Sequence, residues 1–440
     1  MSHIFHRFPG NLPPVAVAGD GVFIIDKDGK RYLDASGGAA VSCLGHSNAR
    51  VRDAIIAQSQ KLAFAHTSFF TSEPAEELAE FLIRRTPETL TKVHYVSGGS
   101  EAVETALKLA RQYFVAKGEP KRGVIISRER SYHGATLGAV AISGNAWRRA
   151  PFEPLLFKSV QIAACYPYRG KQDNETDLDY GLRVANELER EILAREPGTV
   201  AAFVAETVVG ATAGAVPPVE GYFKRIREIC DQYGVLLILD EVMSGMGRTG
   251  SLFAFEQEGI SPDIVTIAKG MGAGYQPIGA AICTQEIFDT INSDGGFAHG
   301  HTYLGHAIAC AAALEVQKVI EGENLLENIR AVARYLSESL NERFGQHPNV
   351  GDIRGRGLFQ AIELVEDRES KRPFQASRKL HAVIKKNAME RGLMVYPTGG
   401  VADGKAGDHV LLAPPYIVTR GEVDIIVDRL ASAVTAALES

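Results

Sequence analysis

Several familiar architectures are excluded by what this chain has little of. Cysteine is scarce: five residues, at 43, 165, 230, 283 and 310, lie scattered, odd in number and without a CxxC pair. That excludes a disulfide framework and reads as reduced, mostly buried thiols; a catalytic thiol at Cys43, in a glycine-rich segment, is the lesser alternative. Basic excess is absent. The 47 Lys and Arg against 53 Asp and Glu leave a formal charge of -6, so no surplus is available to neutralise phosphates, and a nucleic-acid partner is not expected. No apolar run approaches the roughly 20 residues of a membrane span. The opening MSHIFHRFPG has no apolar stretch of the secretory kind, so a cytoplasmic protein is expected. Tryptophan occurs once, as Trp147.

What is present is ordinary globular composition on a long chain. Of 440 residues, 45% are hydrophobic and 23% charged, enough for a large core and two domains. Residues 13–34 alternate apolar and polar around a DKDG turn and predict a small antiparallel ribbon. Helical spacing covers 48–63. From about 74 to 330, helices alternate with short Val/Ile/Leu-rich runs at 93–97, 123–127, 200–206, 235–240, 263–268 and 279–283. Such runs, without polar alternation, suit strands buried on both faces of a mostly parallel sheet. The polar stretch 168–180 reads as a surface loop, and 324–344 as a long amphipathic helix. The expected fold is therefore α/β. Residues 71–330 form a large domain, and 1–70 with 331–440 form a smaller α+β domain from both chain ends. No internal repeat or low-complexity tract interrupts this pattern.

Chemistry enters at the strand ends. The run GVLLILDEV ends in Asp240, and PDIVTIAKGMGAG places Lys269 at a glycine-rich turn just after another strand. Taken singly, these are a helix cap and a solvated loop lysine. Together they are what pyridoxal phosphate requires: an amine to condense with its aldehyde, and a carboxylate to keep its ring nitrogen protonated. The segment VHYVSGGSEAVETALKLAR puts Gly98, Gly99 and Ser100 where a helix begins, an anion site suited to phosphate or simply a capped turn. In SYHGATLGA, Tyr132 follows a strand and can lie over a flat ring or pack in the core. Glu206 ends VAAFVAE, at the sheet edge where such folds bind ligands, or caps a loop. In AHGHTYLGHAIACAAALEV, three histidines lack the spacing of a metal site, and Thr302 offers a hydroxyl near an Ala-rich helix.

These segments, in order and across nearly the whole chain, resemble the class III aminotransferases of fold type I. The resemblance rests on SGGSEA, YHG, LILDEVMSGMGRTG (237–250), TIAKGMGAGYQPIGA (266–280), GHTYLGH (300–306) and PPYIVTR (414–420). It implies Lys269 as the Schiff-base lysine and catalytic base, and Asp240 as partner of the ring nitrogen. Val242 and Tyr132 are then the two covers of the ring, Gly99 and Ser100 the phosphate cradle, and Glu206 a further cofactor contact. Thr302 would reach the phosphate of a neighbouring subunit, which implies a homodimer with shared sites, or a tetramer built on it.

Departures from the family pattern bear on substrate. Two arginines that accompany use of 2-oxoglutarate are replaced by Ala135 and Leu411. PPYIVTR resembles the pyruvate-dependent ω-transaminases, which implies Arg420 as a carboxylate anchor; a surface arginine at a helix start is the plainer reading. The tryptophan that such relatives carry near the chain start has no counterpart, since Trp147 lies well away in sequence and the matching segment offers Ala39 and Ala40. The phosphate turn reads Ser97-Gly98-Gly99-Ser100, with one hydroxyl fewer than the family's usual Asn-Ser-Gly-Ser. The expectation is ping-pong transamination from an ω-amino acid, amine or amino acid to an oxo acid, with pyruvate as acceptor and no metal. Alternatives are 2-oxoglutarate as acceptor, an aminomutase or a decarboxylating dialkylglycine-type reaction, and, from another class, a non-catalytic effector-binding module.

Overall fold

The computed structural model describes residues 2–7 and 12–440; Met1 and 8–11 of the opening segment lie outside the described residues. The centre is a seven-stranded sheet in the spatial order Leu90–Val96, Gly279–Thr284, Ile264–Ile267, Leu236–Asp240, Val200–Glu206, Val124–Arg128, Val160–Ile162. Gly279–Thr284 is antiparallel to both its neighbours, and the other pairs are parallel. The exception has a local cause. Only residues 268–278 join Ile264–Ile267 to Gly279–Thr284, with no crossover helix between them, so the chain can only turn back.

The continuous apolar runs are explained by two-sided burial. All seven residues of Val200–Glu206 and all five of Leu236–Asp240 are buried. The helix Gly99–Ala116 lays Val103, Ala106, Leu107, Ala110 and Phe114 on one face of the sheet. The helices Asp177–Leu193 and Tyr222–Tyr233 cover the other with Val184, Leu188, Phe223 and Ile226. Two expectations need correcting. The loop expected at 168–180 gives way early, because Thr176 and Asp179 form a reciprocal capping box that starts a helix at Asp177 and buries Tyr180. Val160–Ile162, three residues at the sheet edge, is too short to leave a periodic signal.

The two chain ends meet in one sheet: Ala16–Asp20, Phe23–Asp26 and Arg31–Asp34 form the expected ribbon, and Leu393–Met394 adds in parallel to the last of these. A third sheet, in the order Val350–Arg356, Phe359–Leu364, Asp408–Leu412, Tyr396–Gly399, is wholly antiparallel. Its Glu363 is fully buried yet paired with Arg169 at 2.5 Å and Arg354 at 2.7 Å, and it accepts from the Tyr166 hydroxyl. Arg354 also donates to the carbonyls of Gly214 and Ala213. A buried carboxylate held this way is destabilising if one partner is lost. Here it clamps the third sheet to the loop that follows Glu206, one wall of the cavity described next.

Candidate active site

Five strands that run the same way, ending at Val96, Arg128, Glu206, Asp240 and Ile267, open onto one edge of the central sheet. Register then fixes the chemistry. Glu206 sits directly opposite Asp240 in the ladder, Asp240 opposite Thr266, and Lys269 follows three residues after Thr266. Beyond this edge lies a cavity of about 490 Å³. Gly99, Ser100, Tyr132, Glu206, Asp240, Val242 and Lys269 all line it.

The floor is buried and tightly held. Asp240 is 5% exposed; its Oδ2 meets His133 Nδ1 at 2.9 Å and its Oδ1 accepts from the Val242 N–H at 3.0 Å. His133 Nε2 has no partner among the described residues, and the acceptor carboxylate facing Nδ1 favours the proton on that nitrogen. Glu206 accepts from the N–H groups of Tyr132 and Gly210, and burial raises its carboxyl above the usual range, helped by Asp240 and opposed by His133. Lys269 has φ +43°, a left-handed backbone that only a constrained turn imposes on a lysine. Its amine has no hydrogen-bond partner among the described residues. Burial pulls it down to about 8, against the opposing pull of Asp240 and Glu206. A lysine held near neutral pH in this way has a substantial fraction of free amine, the form that attacks carbonyl carbon.

The end wall is an anion cradle. Helix Gly99–Ala116 starts without a side-chain cap, and its first backbone bond is from Ala102 to Gly98, so the N–H groups of Gly99 and Ser100 have no partner among the described residues. A Cβ on Gly99 would meet Val242 Cγ1 at 2.7 Å; glycine is what allows Val242 to lie against the helix start. Gly134, at φ +137°, would likewise meet Ser100 at 2.7–2.9 Å, and its absence of side chain lets the YHG loop settle on the cradle, where Ala135 N–H donates to Ser100 Oγ.

A free amine, a buried carboxylate opposite a ring position, an aliphatic and an aromatic flank, and unused helix N–H groups together fit pyridoxal phosphate. The residues that would hold it are Gly99 and Ser100 at the phosphate, Val242 and Tyr132 at the ring, Asp240 at the ring nitrogen and Lys269 at the aldehyde.

One expected residue, Arg420, is not brought here. Arg420 opens the helix Arg420–Leu438, is exposed, and lies over the Tyr335 ring at 5.2 Å, away from the cavity lining. The cause is local. Tyr416 is buried and bonds to the Met246 carbonyl, and Thr419 with Glu422 forms a capping box that turns Arg420 outward. Thr302 is exposed in a turn before the helix Ala307–Gly322 and does not line this chain's cavity. Three contributors were not singled out in the sequence: His133, Tyr396 and Arg148. His133 carried a signal, the YHG motif itself. Arg148 carried none. It lines the cavity with its guanidinium 4.9 Å from the Tyr132 ring centre and 4.5 Å from that of Trp147. Trp147 thus stands beside the site despite its distance along the chain from Ala39, which also lines it.

Comparison with known proteins agrees with this geometry. The sequence profile of the family described as aminotransferase class-III matches residues 6–434. An uncharacterized aminotransferase of Schizosaccharomyces pombe is 46% identical over 99% of this chain and 95% of its own length. Among solved structures, a thermostable (S)-enantioselective omega-transaminase from Thermomicrobium roseum is 38% identical, with a TM-score of 0.92 over 99% of this chain and 97% of that one. The omega transaminase of Pseudomonas jessenii in complex with PMP is 36% identical, with a TM-score of 0.91 over 97% of this chain and 93% of that one. With the family profile spanning almost its full length, this chain belongs to the class III aminotransferases, enzymes that depend on pyridoxal phosphate.

Proposed function

We propose that the enzyme moves an amino group from an ω-amino acid, amine or amino acid to pyruvate. The observation that carries the choice of acceptor is the apolar wall where a second carboxylate would need a partner. Leu411 is fully buried in a cluster with Met243, Val208 and Ala211, all three of which line the cavity. Ala135, the other position of interest, is exposed and carries no charge. A carboxylate placed against this wall would be desolvated without a partner.

Bound pyridoxal phosphate supplies an aldehyde that condenses with amines and a ring that withdraws electrons. The chain supplies the rest. Lys269 Nζ, lowered toward neutrality, takes the proton from the amine-bearing carbon of the donor and returns a proton during the acceptor half-reaction. Asp240 holds a proton at the ring nitrogen through a charge-assisted hydrogen bond, and His133 keeps Asp240 aimed by donating Nδ1–H to the other oxygen. The unused N–H groups of Gly99 and Ser100 hold the phosphate. Thr302 serves the site of a second subunit; the exposed Tyr303 beside it, and the exposed Phe69 and Phe70, of which Phe70 shares a surface pocket with Leu304 and Gly305, support a homodimer that covers them.

The test is to aminate the enzyme, then mix it with pyruvate or 2-oxoglutarate and follow the return of the aldehyde-form absorption. Pyruvate is expected to react faster. Faster recovery with 2-oxoglutarate overturns the assignment.

A further inference from the structure

The open end of the cavity carries two charged groups that the reaction itself does not use, and both are cations. Arg7 and Arg148 line it, while every acid in the lining, Glu206 and Asp240, is buried at the floor. Neither arginine forms an ion pair with a described residue. Arg148 is half-buried and pinned rather than free: its guanidinium lies over the rings of Tyr132 at 4.9 Å and Trp147 at 4.5 Å, and its backbone N–H is capped by Asn145. Stacking on aromatic faces satisfies the flat surface of a guanidinium and leaves its in-plane N–H fork open. That fork matches the two oxygens of a carboxylate. Tyr132 responds to both cations, which oppose the upward push of burial on its hydroxyl. Tyr396 completes this end of the cavity.

Resting on the aminotransferase reading, we propose that Arg148, with Arg7 beside it, is a carboxylate subsite at the cavity mouth. It binds the carboxylate that an amino donor carries at the far end from its amine. The donor class is therefore ω-amino acids rather than plain amines. The amine reaches Lys269 at the buried floor, while the carboxylate stays where water is close and the guanidinium already waits. Arg148 is a specificity residue, and the proton transfers at Lys269 do not depend on it.

The experiment uses the holoenzyme and paired donors: straight-chain ω-amino acids of three to six carbons, each against the unsubstituted amine of equal length. Single-turnover kcat/KM is measured for wild type, Arg148→Ala and Arg148→Met; the methionine keeps the packing stem and removes the charge. Wild type should favour at least one ω-amino acid over its matched amine. Both variants should lose about 10- to 100-fold on that acid, the scale of a hydrogen bond to a charged group, and less than about threefold on the amine. Calorimetric titration of wild type with pentanoate, which cannot react, should show binding that both variants weaken. Arg7→Ala should show a smaller selective loss. Equal losses on acid and amine, or a methionine variant that retains the wild-type preference, overturns the subsite. Wild type turning over neither member of any pair overturns the ω-amino-acid donor class as well, and a further lack of reaction between alanine and the holoenzyme contradicts the proposed transamination to pyruvate.

Discussion

The floor and the mouth of the cavity are built by opposite means. At the floor, Glu206 and Asp240 close adjacent strands in register and every charged group has a fixed neighbour or a specific task. At the mouth, Arg7, Arg148, Ala39 and Tyr396 come from four distant segments, the first exposed and the others only partly buried. A sheet edge fixes positions to a fraction of a residue because the ladder cannot slip without exposing its core. Loops carry no such constraint and so can vary while the chemistry beneath them stays constant.

Substitutions that break the floor should have the largest effects. Lys269→Ala removes the group proposed to move the proton, and turnover should fall by at least about 1,000-fold. Circular dichroism is expected to be unchanged, because the side chain makes no internal hydrogen bond. Activity near the wild-type level would break the assignment. Asp240→Asn keeps the shape but loses the charge, and the half-reaction rate constant should drop about 100-fold, as when one preorganised electrostatic contact is removed. An unchanged rate would show that the ring nitrogen has another partner.

The depressed lysine can also be read by pH. Below about 8 the Lys269 amine is protonated and has no lone pair to offer; above it the amine is free. The rate at which apoenzyme recaptures pyridoxal phosphate should rise about 30-fold from pH 6.5 to 9.5 and then level off. A rate still climbing steeply at pH 9.5 would mean that the amine keeps its ordinary value and that burial at the floor is not felt. The smallest effect is expected outside both regions. Arg420→Ala should alter kcat/KM for alanine and for a plain amine by no more than about twofold, since the residue faces solvent over Tyr335. A selective loss on alanine would make Arg420 an anchor for the carboxylate next to the amine and bring it into the site.

The same division governs what the sequence could reveal. Strands at 200–206 and 236–240 announce themselves as unbroken apolar runs, and a carboxylate closing each has few places to be except the sheet edge. Lys269 is marked by the strand before it and the glycines after it. Arg148 is not marked, because AWRRAPF has no periodicity and nothing in it tells which of two adjacent arginines turns inward; Arg149 instead bonds to the carbonyls of Ala141 and Ser143. The outward direction of Arg420 is unmarked for a related reason. Its distance after the proline pair is a length along the chain, whereas its direction is set by the Thr419–Glu422 cap and by the burial of Tyr416. The antiparallel Gly279–Thr284 strand looks no different in composition from its parallel neighbours, and only the short connection before it shows that the chain turns back.

The central claim is that the floor holds its cofactor through one lysine. Reducing the holoenzyme with borohydride fixes the cofactor to the amine it occupies, and peptide mass mapping then locates it. The account predicts a single modified peptide, spanning the TIAKGMGAG segment and labelled at Lys269. A label on any other lysine, with Lys269 unmodified, contradicts it.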